Sequence, residues 1–182
     1  MLKPKSYLMC VLSEGGNIMG KHHGALYAGL SYEETVRKYA QNVSSACVMR
    51  LQNWADAEDC FQNTFLKLYQ KSPEFNDESH LKAWLLRVAI NECKNYIRDN
   101  RRQLPLDSVI EKPAPSAEDD VDLSWALMKL EDDYREVVYL YYVERMRVKE
   151  ISAVLGKNPN TVKTMLHRGR EKLKKIYGGD GR

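Results

Sequence analysis

Between Asn158 and Arg168 the chain carries side chains suited to reading another polymer rather than to breaking one. Asn158, Asn160, Thr161, Lys163, Thr164, His167 and Arg168 supply amide donors and acceptors, hydroxyls and cations. The residues between and beyond them, Val162, Met165, Leu166, Gly169, Leu173 and Ile176, repeat at helical spacing. A helix over this stretch would bury the second set and leave the first outward. Such a face fits the base edges and phosphates of a DNA major groove. Nothing comparable suggests catalysis, because the carboxylates are spread along helix faces or a connector rather than gathered around a nucleophile. Cys10, Cys47, Cys60 and Cys93 show no CxxC and no histidine at metal spacing. Cys47, Cys60 and Cys93 fall on apolar helical faces, where a free thiol acts as a small hydrophobe. The expectation is no catalytic residue, no metal and no cofactor, in a reducing, cytoplasmic setting.

The elements that must position this face are legible around it. Val148, Ile151 and Leu155 share one side of a short helix, Gly156 suits a left-handed turn, and Asn158-Pro159 reads as an N-cap followed by proline at the first helical position. Together they describe a helix-turn-helix. Before it, helix resumes near Asp122, with Leu127, Leu130, Tyr134, Val137, Val138, Leu140, Tyr141 and Val143 on one broad face. Further upstream, Ser31-Tyr32-Glu33-Glu34 is a capping box, followed by the stripe Val36, Tyr39, Ala40, Val43, Cys47, Leu51 and Trp54. Asp56 is expected to cap a second helix whose Ala57, Cys60, Phe61, Phe65, Leu68 and Tyr69 turn inward. Ser72–Ser79 reads as a loop around Pro73, and a long third helix puts Leu81, Trp84, Leu85, Val88, Ala89, Cys93, Tyr96 and Ile97 on one side. With no strand pattern, the fold class is all-α: two small helical domains on a tether.

Charge is segregated along the chain. The formal net charge is only +3, yet from Arg145 onward Glu150, Glu171 and Asp180 stand against eleven lysines and arginines. Between Gln103 and Leu123, Asp107, Glu111, Glu118, Asp119, Asp120 and Asp122 oppose a single Lys112, among Pro105, Pro113 and Pro115. That stretch reads as a flexible, self-repelling linker, and the basic end as a nucleic-acid surface. The divisions are thus 1–30 a disordered tail, 31–102 a first domain, 103–123 the linker, 124–177 a second domain and 178–182 a tail. Glu14-Gly15-Gly16 requires purine-rich codons just upstream of Met19, the pattern of a ribosome-binding site. Two readings stand: a natural start at Met19, with 1–18 translated in error, or a genuine tail. No apolar run is long enough to span a bilayer.

Three segments, in order, resemble the extracytoplasmic-function class of RNA polymerase sigma factors, in the sigma-seventy family. The first runs from Asp56 to Lys67. The second runs from Leu81 to Asn91 and on through Asn95-Tyr96-Ile97-Arg98 to Arg101-Arg102. The third spans Leu130 to Leu173, including Tyr134-Arg135-Glu136-Val137, Glu150-Ile151, Leu155-Gly156 and Thr161-Val162-Lys163.

The resemblance implies a dissociable polymerase subunit that selects promoters and assists their opening. Glu58, Asp59, Gln62 and Asn63 would dock on the clamp helices of the largest polymerase subunit, and the second domain on the flap of the second largest. Asn63 departs from the acid usual there, which shifts any charge pairing onto Glu58 and Asp59. Arg87, Asn91, Lys94, Asn95, Arg98 and Arg102 would face the minus-ten element, cations on phosphates and asparagines on base edges. In the loop before them, Asn76 and Ser79, with Asp77, Glu78 and His80, would line a pocket for an extruded base. Trp84 is a candidate for stacking, but its place in the apolar stripe favours core packing. The minus-thirty-five element would fall to Asn158, Asn160, Thr161, Lys163, Thr164, His167 and Arg168. The acidic linker would thread toward the active site and RNA exit path. An anti-sigma factor is an implied partner, the chain being a monomer when free or a heterodimer with it, without membrane insertion.

Four further positions, all in the second domain, depart from the family pattern: Arg145 stands where a glycine often ends a helix, Arg147 where a hydroxyl cap is usual, Lys157 where an apolar residue follows Gly156, and Met165 where arginine is common. The competing function is a conventional helix-turn-helix regulator that binds duplex operator without polymerase; a DNA-acting enzyme is a more distant third.

Overall fold

Ser31 starts the first helix by a reciprocal exchange. Its hydroxyl accepts from the Glu34 backbone N–H at 3.3 Å while the Glu34 carboxylate accepts from the Ser31 N–H at 2.8 Å. The computed structural model describes residues 26–100 and 123–177. Among these, three helices form a first lobe: α1 (Tyr32–Leu51), α2 (Trp54–Lys71) and α3 (Glu78–Asn100). Four form a second: α4 (Leu123–Met128), α5 (Asp132–Tyr142), α6 (Val148–Leu155) and α7 (Pro159–Tyr177). Among the described residues there is no strand, only an isolated bridge between Tyr27 and Leu30. The expectations for Met19, Cys10, Arg102, most of the linker (through Asp122) and the tail from 178 lie outside the described residues.

The first core gathers Val36, Tyr39, Val43 and Cys47 of α1, Ala57, Cys60, Phe65 and Leu68 of α2, and Leu81, Leu85, Ala89 and Cys93 of α3. Two expectations at its edge fail. Asp56 does not cap α2; Asn53 does, its side-chain oxygen accepting from Ala55 N at 2.9 Å. Gln52 ends α1 in the left-handed region, so the chain turns before Trp54. Trp54 therefore opens α2 and stands 52% exposed instead of completing the α1 stripe. Tyr27, placed in the tail by sequence, is 1% exposed. The turn Tyr27–Leu30, closed by backbone hydrogen bonds of 2.7 and 3.1 Å, lays its ring against Tyr32 and Phe75.

The second core joins Leu127, Leu130, Val137, Val138, Leu140, Ile151, Val154, Val162, Leu166 and Leu173. The face expected before the helix-turn-helix is split. Helix α4 stops at Met128 and α5 restarts at Asp132, and the break is held by a buried Arg135. Its guanidinium donates to the carbonyls of Leu127 at 3.0 Å, Met128 at 3.3 Å and Leu130 at 2.7 Å, answering groups a helix end leaves unpaired. Tyr141 and Val143 are exposed, not inward: Tyr139 takes the buried position on α5, and Val143 lies past the helix end as its C-cap.

The lobes are not held apart. Ala46 of α1 and Leu86 and Ile90 of α3 belong to the apolar cluster of the second lobe, and α3 packs along α6.

Candidate promoter-reading and polymerase-docking surfaces

The helix-turn-helix forms as its local chemistry dictates. Gly156 adopts φ +64°, and Asn158 caps α7, its Oδ1 accepting from Asn160 N at 2.9 Å. Val162, Leu166, Gly169 and Leu173 are buried, with Met165 half-buried beside them, so Met165 serves the core. Asn158, Asn160, Thr161, Lys163, Thr164, His167 and Arg168 are all exposed. Two of them are partly committed within the helix. The Asn158 oxygen is the cap, and the Thr164 hydroxyl donates to Asn160 O at 3.0 Å. His167 lies 3.5 Å from Glu171. The positive end of the helix macrodipole adds to the cations at this face.

On α3, Arg87, Asn91, Asn95 and Arg98 are exposed at helical spacing along one stripe. Lys94 is not with them: it is half-buried and pairs with Glu136 of α5 at 3.4 Å. In the preceding loop Asn76 and Ser79 are exposed, but the acids beside them are used by the fold. Asp77 caps α3, accepting from His80 N at 2.7 Å. The Glu78 carboxylate is bonded by the Lys38 ammonium and, at 3.0 Å, by the Tyr39 hydroxyl, and the lysine hydrogen bond chiefly holds it below the usual carboxylate range. Burial, and then this acceptor, push Tyr39 up to about 12. Trp84 packs half-buried against Phe75, ring centroids 5.7 Å apart.

On α2, Glu58, Asp59, Gln62 and Asn63 share an exposed face. The sequence reading missed Leu66, which continues that face at 49% exposure; its place one turn beyond Gln62 and Asn63 was the available signal. Asp56 turns away to accept from the Tyr96 hydroxyl at 2.6 Å, raising Tyr96 to about 12 and tying α2 to α3. The buried thiols of Cys47, Cys60 and Cys93 are free; contact with neighbouring thiols and burial push Cys60 and Cys93 upward. Among the described residues no cluster of histidine, cysteine or acid is arranged to hold a metal.

Residues 32–103 match the family model Sigma-70 region 2, and residues 122–173 match Sigma-70, region 4. The RNA polymerase sigma factor CarQ of Myxococcus xanthus is 30% identical over 159 residues, covering 81% of this chain and 90% of the relative. The chain belongs to the extracytoplasmic-function sigma factors of the sigma-70 family. The ECF sigma factor SigM of Bacillus subtilis is 27% identical over 157 residues, covering 81% of this chain and 96% of that one. In fold, the sigma factor is similar to RpoE of Bartonella quintana, solved with the anti-sigma factor NepR: TM-score 0.68, 24% identity, 82% of this chain and 98% of that one covered.

The sigma factor's departures from the family pattern now have structural readings. Arg145 adopts φ +56°, so it performs the left-handed turn a glycine would make with less strain. Arg147 offers no side-chain cap; instead the Glu150 carboxylate accepts from its N–H at 2.5 Å. Lys157 closes the end of α6 through its backbone, N–H to Ser152 O at 3.1 Å, and its ammonium lies 3.7 Å from Asp133. Among the described residues no helix is long and apolar enough to cross a membrane.

Proposed function

We propose that this sigma factor divides promoter recognition between its lobes. Residues 31–102 form the core-binding and minus-ten lobe, and 124–177 the minus-thirty-five lobe, with 103–123 connecting them. The α2 face of Glu58, Asp59, Gln62 and Asn63, extended by Leu66, docks on the clamp helices of the largest polymerase subunit; the second lobe meets the flap of the second largest. Exposed Arg87, Asn91, Asn95 and Arg98 grip the minus-ten element, to which Arg102 is also assigned, with Asn76 and Ser79 at the extruded base. Helix α7 enters the major groove at minus thirty-five, with Lys163, His167 and Arg168 toward phosphates and Asn160 and Thr164 toward base edges. The Asn158 amide and Thr161 stand at its entering end.

The observation that carries this reading is the presence, in one chain matching both regions, of two separate exposed stripes of cations and amides. The sigma factor performs no bond chemistry of its own and works in the cytoplasm. An anti-sigma factor is its regulator, a reading supported by the Bartonella relative having been solved with one. The test compares DNA retention by the chain alone with retention by the chain plus core polymerase. Retention only with core enzyme supports the reading; tight, specific retention by the free chain favours an independent regulator.

A further inference from the structure

Tyr27 stands ahead of the first helix, yet it is almost wholly buried. Its place comes from a turn whose two central residues, Ala28 at φ +53° and Gly29 at φ +87°, are both left-handed. Glycine takes that conformation freely, but alanine holds it only where the surroundings fix it. Here it is fixed by the two backbone hydrogen bonds between Tyr27 and Leu30, and by the packing of Tyr27, Ala28 and Leu30 on the first core. The outcome is a large ring driven inward against the loop between α2 and α3.

Tyr27 meets that loop twice. Its hydroxyl lies 3.4 Å from the Ser72 hydroxyl, at the residue that ends α2 in the left-handed region at φ +39°. Its ring centroid lies 6.4 Å from that of Phe75. Tyr32 backs the same ring at 6.4 Å and is itself edge-on to Tyr69 at 5.4 Å. These separations are those at which aromatic rings attract. Phe75 in turn lies edge-on to Trp84 at 5.7 Å and to His80 at 5.4 Å. At the far end of the loop, Lys38 and Tyr39 of α1 hold the Glu78 carboxylate. The loop is thus fixed at Ser72, Phe75 and Glu78, with the exposed side chains of Asn76 and Ser79 beside the fixed points. Two of the three points are touched by Tyr27, a side chain from outside the three helices.

Capture of an extruded base must offset the stacking and pairing the base has lost. A pocket that first has to order itself gives up part of that gain, whereas one already held in shape does not. We infer that Tyr27 is a positioning residue for base capture: its turn holds the stretch from Ser72 to Phe75, so that Asn76 and Ser79 are presented to the base in one arrangement. The inference rests on the extruded-base assignment proposed above.

Tyr27→Leu keeps an apolar side chain but removes the ring and its hydroxyl, and Tyr27→Phe keeps the ring. Phe75→Leu removes the same ring pair from the loop side and carries the test should Tyr27→Leu fail to fold, which circular dichroism checks. Each full chain is assembled with core polymerase and titrated with a single-stranded oligonucleotide of the non-template minus-ten sequence upstream of the starts the chain directs, and with versions lacking one base each. Single strands need no melting, so the ratio of affinities, intact over abasic, reads the pocket. A general weakening of the lobe moves both strands equally and leaves the ratio alone. Hydrogen exchange at Asn76, His80 and Leu81, whose N–H groups bond to acceptors in or next to the loop, reads loop order in the free chain. The expected wild-type ratio is about tenfold at one position, falling by about threefold or more in both leucine variants and kept in Tyr27→Phe. Loop exchange should be faster in the leucine variants alone. An unchanged ratio in the leucine variants overturns the positioning role even if exchange quickens. A lowered ratio with unchanged exchange overturns it too, because the loop is then ordered without Tyr27. A wild-type ratio of one at every position refutes the extruded-base assignment instead, and exchange then decides by itself whether Tyr27 holds the loop.

Discussion

Gly169 sits on α7 beside Arg168, where α7 packs against Tyr134 and Val138 of α5. A β-carbon built there would lie 2.6 Å from Val138 Cγ2, against 3.7 and 3.8 Å from Tyr134 Cβ and O. Only the valine contact is prohibitive. Val138 is fully buried and branched at Cβ, so its methyl has little freedom to retreat. Overpacking of this kind costs about 1–3 kcal/mol, while replacing a mid-helix glycine by alanine returns about 1 kcal/mol of helix propensity. Gly169→Ala should therefore destabilise by about 1 kcal/mol. In a Val138→Ala background the obstruction is gone, and the same change should stabilise by about 1 kcal/mol. The reversal implies a coupling of about 2 kcal/mol, within the range for residues in contact. Urea unfolding followed by circular dichroism, on the four proteins of the cycle, measures it. If Gly169→Ala stabilises equally in both backgrounds, the close approach that seats α7 on α5 is wrong.

Other perturbations have equally definite signs. Arg145→Gly should raise stability by about 0.5–1 kcal/mol in urea titration, because an exposed arginine now occupies the left-handed region at φ +56°. Burial raises the Glu136 carboxyl above the ordinary 4.5, with Lys94 and Arg50 opposing. An acid so raised favours the folded state while protonated and loses that advantage as pH climbs through its folded pKa. Glu136→Gln should thus match wild type near about pH 4 and gain on it toward about pH 8, as read from unfolding midpoints across that window. Lys163→Ala and Arg168→Ala should each weaken promoter use by about 1 kcal/mol and lower the salt slope by about one per lost phosphate contact. Unchanged output and slope for both would contradict the orientation of α7.

What was legible in the sequence was whatever neighbouring residues decide among themselves. The Ser31–Glu34 box and the Gly156, Asn158 and Pro159 turn are closed by groups within a few residues of each other, and they form as read. Asn53 was overlooked because two candidate caps, Asn53 and Asp56, lie one helical turn apart and only the backbone path after Gln52 chooses between them. Periodicity marked α3 as amphipathic but said nothing of a second partner, so Leu86 and Ile90 were left unassigned. Charged residues suffered most. Nothing in the local sequence marks Glu136 or Glu144 for burial, because their partners Lys94 and Lys82 come from the other lobe, while Arg135 is taken up chiefly by carbonyls at the α4–α5 break. The exposed stripes on α2, α3 and α7 were recoverable since each is simply the complement of a buried stripe. Lys94 is the exception, lying where the minus-ten stripe borders the lobe seam.

The most direct measurement is mapping of transcription start sites produced by core polymerase on a genomic library, with and without the purified chain. The account predicts a discrete new set of starts that share paired upstream elements and that disappear when Asn91→Ala and Lys163→Ala are combined. Start sites identical in the presence and absence of the chain would contradict it.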